Sequence, residues 1–469
     1  MNIAPIIQSL FSPLSNLKIE RAIFISIILL HFIIFFTIAT DNNGDPNEYI
    51  YVAKHLFSSD SGFSILRFVG YPFFIKITSL NLLALNLTLL IQHILLLYSI
   101  WYFANTITTK PILRALIYLP ALIPAVAYLP NLLFPDSLIL SLLLIFSASL
   151  FLQRYIMATV ICICLILTKL VFIFLPILIL GSYLLDKRKF QNSVTIYFSM
   201  GFLALALIPA VFLFSPFPLY QSVVQKPAFM MEKSLKTAAP DSLVFWCGGK
   251  ERRISDPEVL LKVTEHSSDW AFMPLGKKLS KELSCSPREI KSLQRNLIIL
   301  FFQHSPIQQS GKLATRFFKN TLNFIDVNHV GYMMMRKYYL LNTYYSFDQY
   351  YEKTQLEYFS GQEMAPLRLP SQVLLRLLNL ANEPYELFLS YIIMLGLISI
   401  SLVCITKHLA LPRSVGPMIA LIFTYCFCIT FFAIGVDRYI FINYFLWLGV
   451  ISVWAEQFFI MRLASKKIL

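Results

Sequence analysis

Charged residues are scarce in this sequence. They make up 14% of its 469 residues, whereas hydrophobic residues make up 57%. Soluble globular domains carry about 25% charged residues, so this chain has too little charge to cover a soluble surface of its length. The mean hydropathy is +0.67. The scarcity of charge therefore predicts that most of the chain lies in a membrane, and it excludes an ordinary soluble enzyme.

Several sequence signatures of common enzymes are absent. The chain contains no Walker A motif, no G-x-G-x-x-G, no G-x-S-x-G, and no H-E-x-x-H among its seven histidines. It therefore lacks the marks of P-loop enzymes, dinucleotide-binding domains, α/β-hydrolases and zinc metalloproteases. The loops between apolar segments also leave no room for a cytoplasmic nucleotide-binding domain. We accordingly do not expect a cytoplasmic nucleotide to be a substrate of this chain.

Cysteine is infrequent, with seven residues in the chain. Cys247 and Cys285 lie in the long polar region 215–386. A disulfide between them is possible if that region is outside the cytoplasm, although two cysteines in one region can equally be unpaired. Neither alternative is favoured by the sequence. The other five lie in apolar segments, where we expect them to pack: Cys162, Cys164, Cys404, Cys426 and Cys428.

Long apolar runs divide the chain into ten predicted membrane crossings. They are 22–39, 82–103, 115–129, 137–152, 155–167, 170–185, 194–214, 387–405, 418–434 and 439–460. The first run is longer than a typical signal-peptide core and lacks a cleavage site, so we interpret it as an uncleaved span. Two pairs, around Asp136 and around Lys169, are shorter than the roughly 20 residues that a crossing needs. They predict short hairpins whose tips face a hydrated cavity.

The positions of Lys and Arg predict the orientation. The net charge is +14, but the basic residues do not form one patch, so we expect no nucleic-acid partner. They fall in short clusters at alternate ends of the apolar runs, as the positive-inside rule requires. This places both termini in the cytoplasm and region 215–386 outside it. We therefore predict an all-α membrane protein of three modules: 1–214, with an outer loop at 40–76; 215–386, mostly helical; and 387–469.

The first outer loop is rich in acids. Asp41, Asp45 and Glu48 follow the first span, and Asp45 precedes Pro46. Asp followed by Pro suits the N-cap and first turn of a short helix. A carboxylate fixed beside the membrane can act as a general base toward a hydroxyl. Local features alone favour the cap over the base.

Other charges lie near apolar segments on the same predicted side. Arg67 precedes a Gly-Tyr-Pro turn, where a guanidinium suits bidentate phosphate binding. Asp136, Lys169 and Arg438 lie at the edges of apolar runs. Ionisable residues at such places indicate function by default, although Asp136 and Lys169 can also form a structural pair.

These residues resemble the GT-C superfamily of membrane glycosyltransferases, nearest to bacterial family 39-like members. The family's acid motif D-x-x-x-Y-x-x-x-A, its R-x-x-G-Y-P motif, its later acid, its basic residue and its late R-Y motif occur in the same order. The matching residues are, for the acid motif, Asp45, Tyr49 and Ala53; for R-x-x-G-Y-P, Arg67, Gly70, Tyr71 and Pro72; for the later acid, Asp136; for the basic residue, Lys169; and for the R-Y motif, Arg438 and Tyr439. Pro46 replaces the second acid that often follows the first, so Asp41 is an alternative base.

The resemblance implies a GT-C-like bundle and a polyprenyl-phosphate sugar as donor, with a glycan, lipid or protein as acceptor. It implies a bacterial inner membrane and a periplasmic reaction that inverts the anomeric centre. Asp45 or Asp41 then acts as base, and the donor phosphate is bound by Arg67, Lys169 and Arg438. Supporting roles fall to four further residues: Glu48, Tyr71, Asp136 and Tyr439. No cofactor is required, and a Mg or Mn ion shared by Asp45 and Asp136 is left open.

Two other functions fit many spans with buried charges. A transporter or flippase of lipid-linked sugars typically has inverted repeats and broken helices, and no repeat is visible in this sequence. A polymerase or ligase of the O-antigen type has a long outer loop, but it lacks an acid loop directly after the first span. The sequence therefore favours the glycosyltransferase.

Overall fold

The computed structural model describes residues 13–37, 49–50, 52–54, 56, 69–188, 244–253, 284–321, 371–407, 415–432 and 441–466. These residues are mostly helical, as predicted. The α-helices are α1 (Pro13–Thr37), α2 (Gly70–Thr78), α3 (Leu85–Ile107), α4 (Pro111–Tyr118), α5 (Pro124–Tyr128), α6 (Pro135–Phe151), α7 (Tyr155–Thr168), α8 (Leu175–Arg188), α9 (Pro287–His304), α10 (Pro306–Thr321), α11 (Ser371–Lys407), α12 (Gly416–Phe432) and α13 (Phe441–Lys466). Strands β1 (Val244–Cys247) and β2 (Lys250–Arg253) pair antiparallel, so the described part of the chain is not purely α-helical.

Two described helices are long and apolar enough to cross a membrane. They are Asn16–Phe36 within α1 and Leu85–Ile107, which is α3. A third crossing results if the bent pair Pro111–Leu122 and Pro124–Asn131 is one span. The chain is therefore a membrane protein by the length and composition of its helices. The described residues do not confirm the ten predicted crossings, and the predicted span at 194–214 lies outside them.

Prolines break the chain between α4 and α6. Short 3₁₀ helices, Leu119–Leu122 and Leu129–Asn131, alternate with α4 and α5, and the two halves bend by 69°. A proline has no N–H to donate and clashes with the preceding turn, so each one ends a helix or starts the next. Pro120 and Pro124 therefore interrupt the predicted span 115–129, and Pro130 and Pro135 lie between it and the next predicted span, 137–152.

The predicted hairpin around Lys169 is present. Helices α7 and α8 are only 14 residues each, and the 3₁₀ helix Leu170–Phe174 joins them. The Tyr155 hydroxyl at the start of α7 donates to the Ser182 carbonyl near the end of α8, at 3.2 Å. The two helices are therefore antiparallel, and the turn at Lys169 is the tip of the hairpin.

Helix α6 is the centre of the buried core. Nearly all of its 17 residues are buried, and it packs against α3 on one side and α7 on another. Helix α1 packs against α4, where Arg114 forms a two-pronged ion pair with Glu20 at N–O distances of 2.6 and 2.8 Å. Helix α13 joins this group through Glu456, whose carboxylate accepts a hydrogen bond from Thr108.

The chain forms two compact units. One comprises residues 1–200, 322–423 and 437–469, and the other comprises 201–321 and 424–436. In the second unit, a disulfide joins Cys247 of β1 to Cys285, just before α9. The structure therefore selects the paired alternative for these two cysteines. Helices α9 and α10 correspond to the helical spacing of apolar residues in that part of the sequence.

Candidate functional site

The first turn of α2 lies directly against the end of α7. A Cβ atom on Gly70 would lie 2.6–2.7 Å from backbone atoms of Leu167 and Thr168. Such distances are far below ordinary contact, so only a glycine allows this approach. The Gly-Tyr-Pro turn and the Thr168-Lys169 turn, about 100 residues apart in sequence, are thus in backbone contact.

Tyr71 is the most deeply buried residue of this turn, with 0% of its surface exposed. Its hydroxyl donates a hydrogen bond to Gln92 Oε1 at 3.0 Å. Burial raises the pKa of the phenol well above its usual value; Tyr49 and Asp136 raise it further, and the bond to Gln92 opposes them. Tyr71 therefore keeps its proton and serves as a hydrogen-bond donor, not as a base.

Asp136 lies in the first turn of α6, directly after the Phe134-Pro135 step, and is 3% exposed. Its charge acts on the Tyr71 phenol, so the two residues lie near each other although 65 positions separate them. The first turn of a helix favours a carboxylate because free N–H groups and the helix dipole face it.

Lys169 ends α7 at the tip of the hairpin and is half-buried. Its backbone N–H donates to the Leu165 carbonyl at 2.8 Å. A lysine at a helix C-terminus is favoured by the negative end of the dipole. Because Gly70 packs on the residue before it, Lys169 lies beside the same turn as Tyr71.

The second half of the predicted acid motif reaches the same place. Residues 49–50 and 52–54 are helical, and Tyr49 and Ala53 are 8% and 0% exposed. The Tyr49 ring meets the Tyr71 ring edge-on, with centroids 5.1 Å apart. Residues four apart lie on the same helix face, which explains why the motif pairs Tyr49 with Ala53. Described residues from four of the five predicted motifs therefore lie close to Tyr71 or to its turn.

Several predicted site residues lie outside the described part of the chain. They are Asp41, Asp45, Glu48, Arg67, Arg438 and Tyr439. Their roles stay predictions, and so does a metal ion shared by Asp45 and Asp136. Among the residues that the structure describes, no three His, Cys, Asp or Glu side chains group to hold a metal ion.

Sequence reasoning missed a row of buried polar residues that links α1 and α3 to the proline-containing stretch 119–134, here called the broken segment. His31 Nδ1 and His93 Nδ1 are 2.8 Å apart, and His93 Nε2 lies 2.9 Å from Asn131 Oδ1. Asn131 Nδ2 donates to the Ile34 carbonyl at 3.1 Å. A signal was available, because histidine and asparagine in apolar runs indicate polar contacts between helices.

The hydrogen-bond directions in this row follow from Asn131. Its amide N–H group faces a carbonyl, so its Oδ1 must accept from His93 Nε2–H. A neutral His93 then has a lone pair on Nδ1, and His31 Nδ1–H donates to it. The row ends at the Ile34 backbone carbonyl. These bonds therefore connect α1 and α3 to the segment around Asn131.

Comparisons of the sequence with protein-family models and with curated proteins found no match, and a comparison with solved structures also found none. The resemblance to the GT-C superfamily thus depends on the motif residues and on where the fold places them.

Proposed function

We propose that this chain is a membrane glycosyltransferase that takes a sugar from a polyprenyl-phosphate carrier and transfers it to a glycan, lipid or protein acceptor. One observation carries the proposal. Motif residues from distant parts of the sequence lie near one buried tyrosine, Tyr71. The Tyr49 ring contacts it, the Asp136 carboxylate acts on its phenol, and Gly70 joins its turn to the turn that contains Lys169. A scaffold protein has no need to gather an acid, a lysine and a phenol in one place.

The disulfide supports a reaction outside the cytoplasm. Disulfides persist in the periplasm and other oxidising compartments, and they are rare in the cytosol. Cys247 and Cys285 lie in the region that the distribution of basic residues also places outside. The proposed location is a bacterial inner membrane, with both termini cytoplasmic.

The proposed chemistry needs a base and several cations. Asp45, or Asp41 in its place, removes the proton of the acceptor hydroxyl, and the oxygen then attacks the anomeric carbon from the face opposite the phosphate. The bond from that carbon to the phosphate oxygen breaks, and the lipid phosphate leaves as an anion. Lys169, Arg67 and Arg438 stabilise its charge. Asp136 and Tyr71 shape the floor of the site.

The test is transfer from a panel of polyprenyl-phosphate sugars by membranes containing the full chain. Asp45→Asn is expected to abolish transfer, while Asp41→Asn retains it; the reverse result assigns the base to Asp41. Lys169→Met is expected to weaken donor use by on the order of 10²-fold, the size typical of losing one charge-stabilising group. Wild-type membranes that transfer no sugar from any donor would refute the proposal.

One observation favours the transporter alternative. The 69° bend between Leu122 and Pro124 is a broken helix within an apolar segment, and transporters bind substrates at such breaks. The two functions give different products. A transferase releases a free lipid phosphate and a glycosylated acceptor, whereas a transporter moves an intact lipid-linked sugar across liposome membranes.

A further inference from the structure

We propose that Gln92 is a positioning residue that holds Tyr71 and the start of α6, and with it Asp136, in one arrangement. Gln92 lies in α3, which contains none of the motif residues, and it is 1% exposed. The inference rests on the proposed glycosyl transfer for its catalytic test, but it also has a structural test that is independent of activity.

The side-chain amide of Gln92 connects two separate elements. Its Oε1 accepts from the Tyr71 hydroxyl, and its Nε2 donates to the Pro130 and Leu132 carbonyls, each at 3.0 Å. A primary amide has two N–H donors, and both are used. The opposite amide orientation would place Oε1 against two carbonyls, so the contacts fix the orientation of the side chain.

The broken segment needs these bonds. Residues 129–134 pass from a 3₁₀ helix through extended backbone at Leu132 and Phe134 into α6. Outside a regular helix, carbonyls at membrane depth must find donors within the protein. Gln92 supplies donors to two of them. Leu132 is four residues before Asp136, and Pro135 restricts the backbone at the start of α6, so holding Leu132 limits where α6 can begin.

A neighbouring residue holds the same segment from the same helix. His93 follows Gln92 directly and bonds to Asn131, which lies between the two carbonyls that Gln92 holds. Asn131 in turn bonds to the Ile34 carbonyl of α1. Gln92 and His93 of α3 thus bond to three successive residues of the broken segment, 130–132. Of the two, Gln92 also accepts a hydrogen bond from Tyr71.

The test compares Gln92→Met with wild type and with Ser99→Ala. Methionine keeps the length of the side chain and removes its hydrogen bonds to the two carbonyls and to Tyr71. Ser99 is the matched control, because it is buried in the same helix and, among the described residues, its hydroxyl donates to the Leu96 carbonyl of that helix. We expect kcat for sugar transfer to fall by about 10²-fold in Gln92→Met, as a displacement of about 1 Å can cause, with KM changed less than about twofold.

A second measurement needs no substrate. Ser137 is 0% exposed and follows Asp136, so a Ser137→Cys reporter measures how often the start of α6 opens. The reaction of this cysteine with N-ethylmaleimide is measured against the same chain without the reporter. We expect Gln92→Met to raise the rate about tenfold, the effect of losing a buried hydrogen-bond partner, and Ser99→Ala to leave it unchanged.

The outcomes separate the two proposals. If the wild type transfers no sugar, the proposed function fails, and the labelling rate alone decides whether Gln92 positions α6. If labelling and kcat in Gln92→Met equal those of Ser99→Ala, the positioning role is overturned. It is also overturned if the labelling rate rises while kcat is unchanged.

If Gln92→Met does not accumulate, Gln92→Glu takes its place, because it keeps the acceptor for Tyr71 and replaces the amide donors. The same two measurements then apply.

Discussion

Gly70 lies so close to Leu167 that a Cβ atom at position 70 would be 2.6 Å from the Leu167 carbonyl carbon. This backbone contact joins the Gly-Tyr-Pro turn to the Lys169 turn. It makes the distance between Tyr71 and Lys169 depend on the absence of one side chain.

Replacing Gly70 with alanine should displace α2 from α7. Because backbone atoms occupy the space, the overpacking is expected to cost about 1–3 kcal/mol of stability and to reduce sugar transfer. Gly311→Ala is the control, since nothing lies within 4 Å of its added Cβ atom and alanine favours a helix by about 1 kcal/mol over glycine. Thermal unfolding in detergent, with transfer assayed in parallel, measures both. Equal melting temperatures for the two variants would contradict the contact.

Removing the disulfide should loosen the second compact unit. Cys247 and Cys285 are 38 residues apart, and closing a loop of this length contributes about 4 kcal/mol in the chain-entropy model. Cys247→Ser is expected to make the region around β1, β2 and α9 sensitive to protease. Cys164→Ser, at an exposed free thiol, should leave protease resistance unchanged. A wild-type chain whose gel mobility is the same with and without reductant would contradict the pairing.

Breaking the ion pair between Glu20 and Arg114 should cost more than removing both partners. The two side chains are 10% and 16% exposed, so Arg114→Met leaves a mostly buried carboxylate without its partner. This is expected to cost about 3 kcal/mol. The double variant Glu20→Leu with Arg114→Met should recover much of that loss. Chemical unfolding of the wild type, of Arg114→Met, of Glu20→Leu and of the double variant measures the difference. Strictly additive losses would contradict the pairing.

Acid should weaken the cap of α9. The Ser286 backbone N–H donates to the Glu289 carboxylate at 2.6 Å, and Ser286 Oγ accepts from the Glu289 N–H. The bonds that the carboxylate accepts, chiefly that from the Ser286 backbone N–H, lower the pKa of Glu289 below its usual 4.5. Because the folded pKa is the lower one, its stabilisation is present above pH 4.5 and is lost as pH falls through the folded value.

Hydrogen exchange at the start of α9, followed between pH 6 and 3, measures this effect. The protection that the wild type loses in acid should already be missing at pH 6 in Glu289→Gln, and that variant should show little further change. Ser286→Ala should also lower protection at all pH values, since a lost cap costs about 1 kcal/mol. A variant with the same pH dependence as the wild type would exclude Glu289 as the titrating group.

Sequence alone predicted the features that depend on composition and local chemistry. Apolar runs predicted α1 and α3, and the short runs on either side of Lys169 predicted a hairpin. Both predictions were possible because the number of consecutive apolar residues can be counted along the sequence and compared with the number that a membrane crossing needs. The motif at residues 67–72 predicted Tyr71 as a site residue, and that role stays a prediction. The number of crossings was less accessible, because Pro120 and Pro124 break the predicted span 115–129 into short helices, and Pro130 and Pro135 lie between that span and α6.

Contacts between distant residues could not be predicted in this way. Gln92 and His93 lie in an apolar helix without any motif, and only the packing of α3 against the broken segment gives them partners. The pairing of Cys247 with Cys285 stayed open for the same reason. Hydrophobic periodicity and motif order are properties of neighbouring residues, so the sequence determined a membrane chain with a candidate set of site residues. Which of those residues meet, and what holds them, was decided by helix packing, because hydrogen bonds and backbone contacts act over a few ångströms in space regardless of separation along the chain.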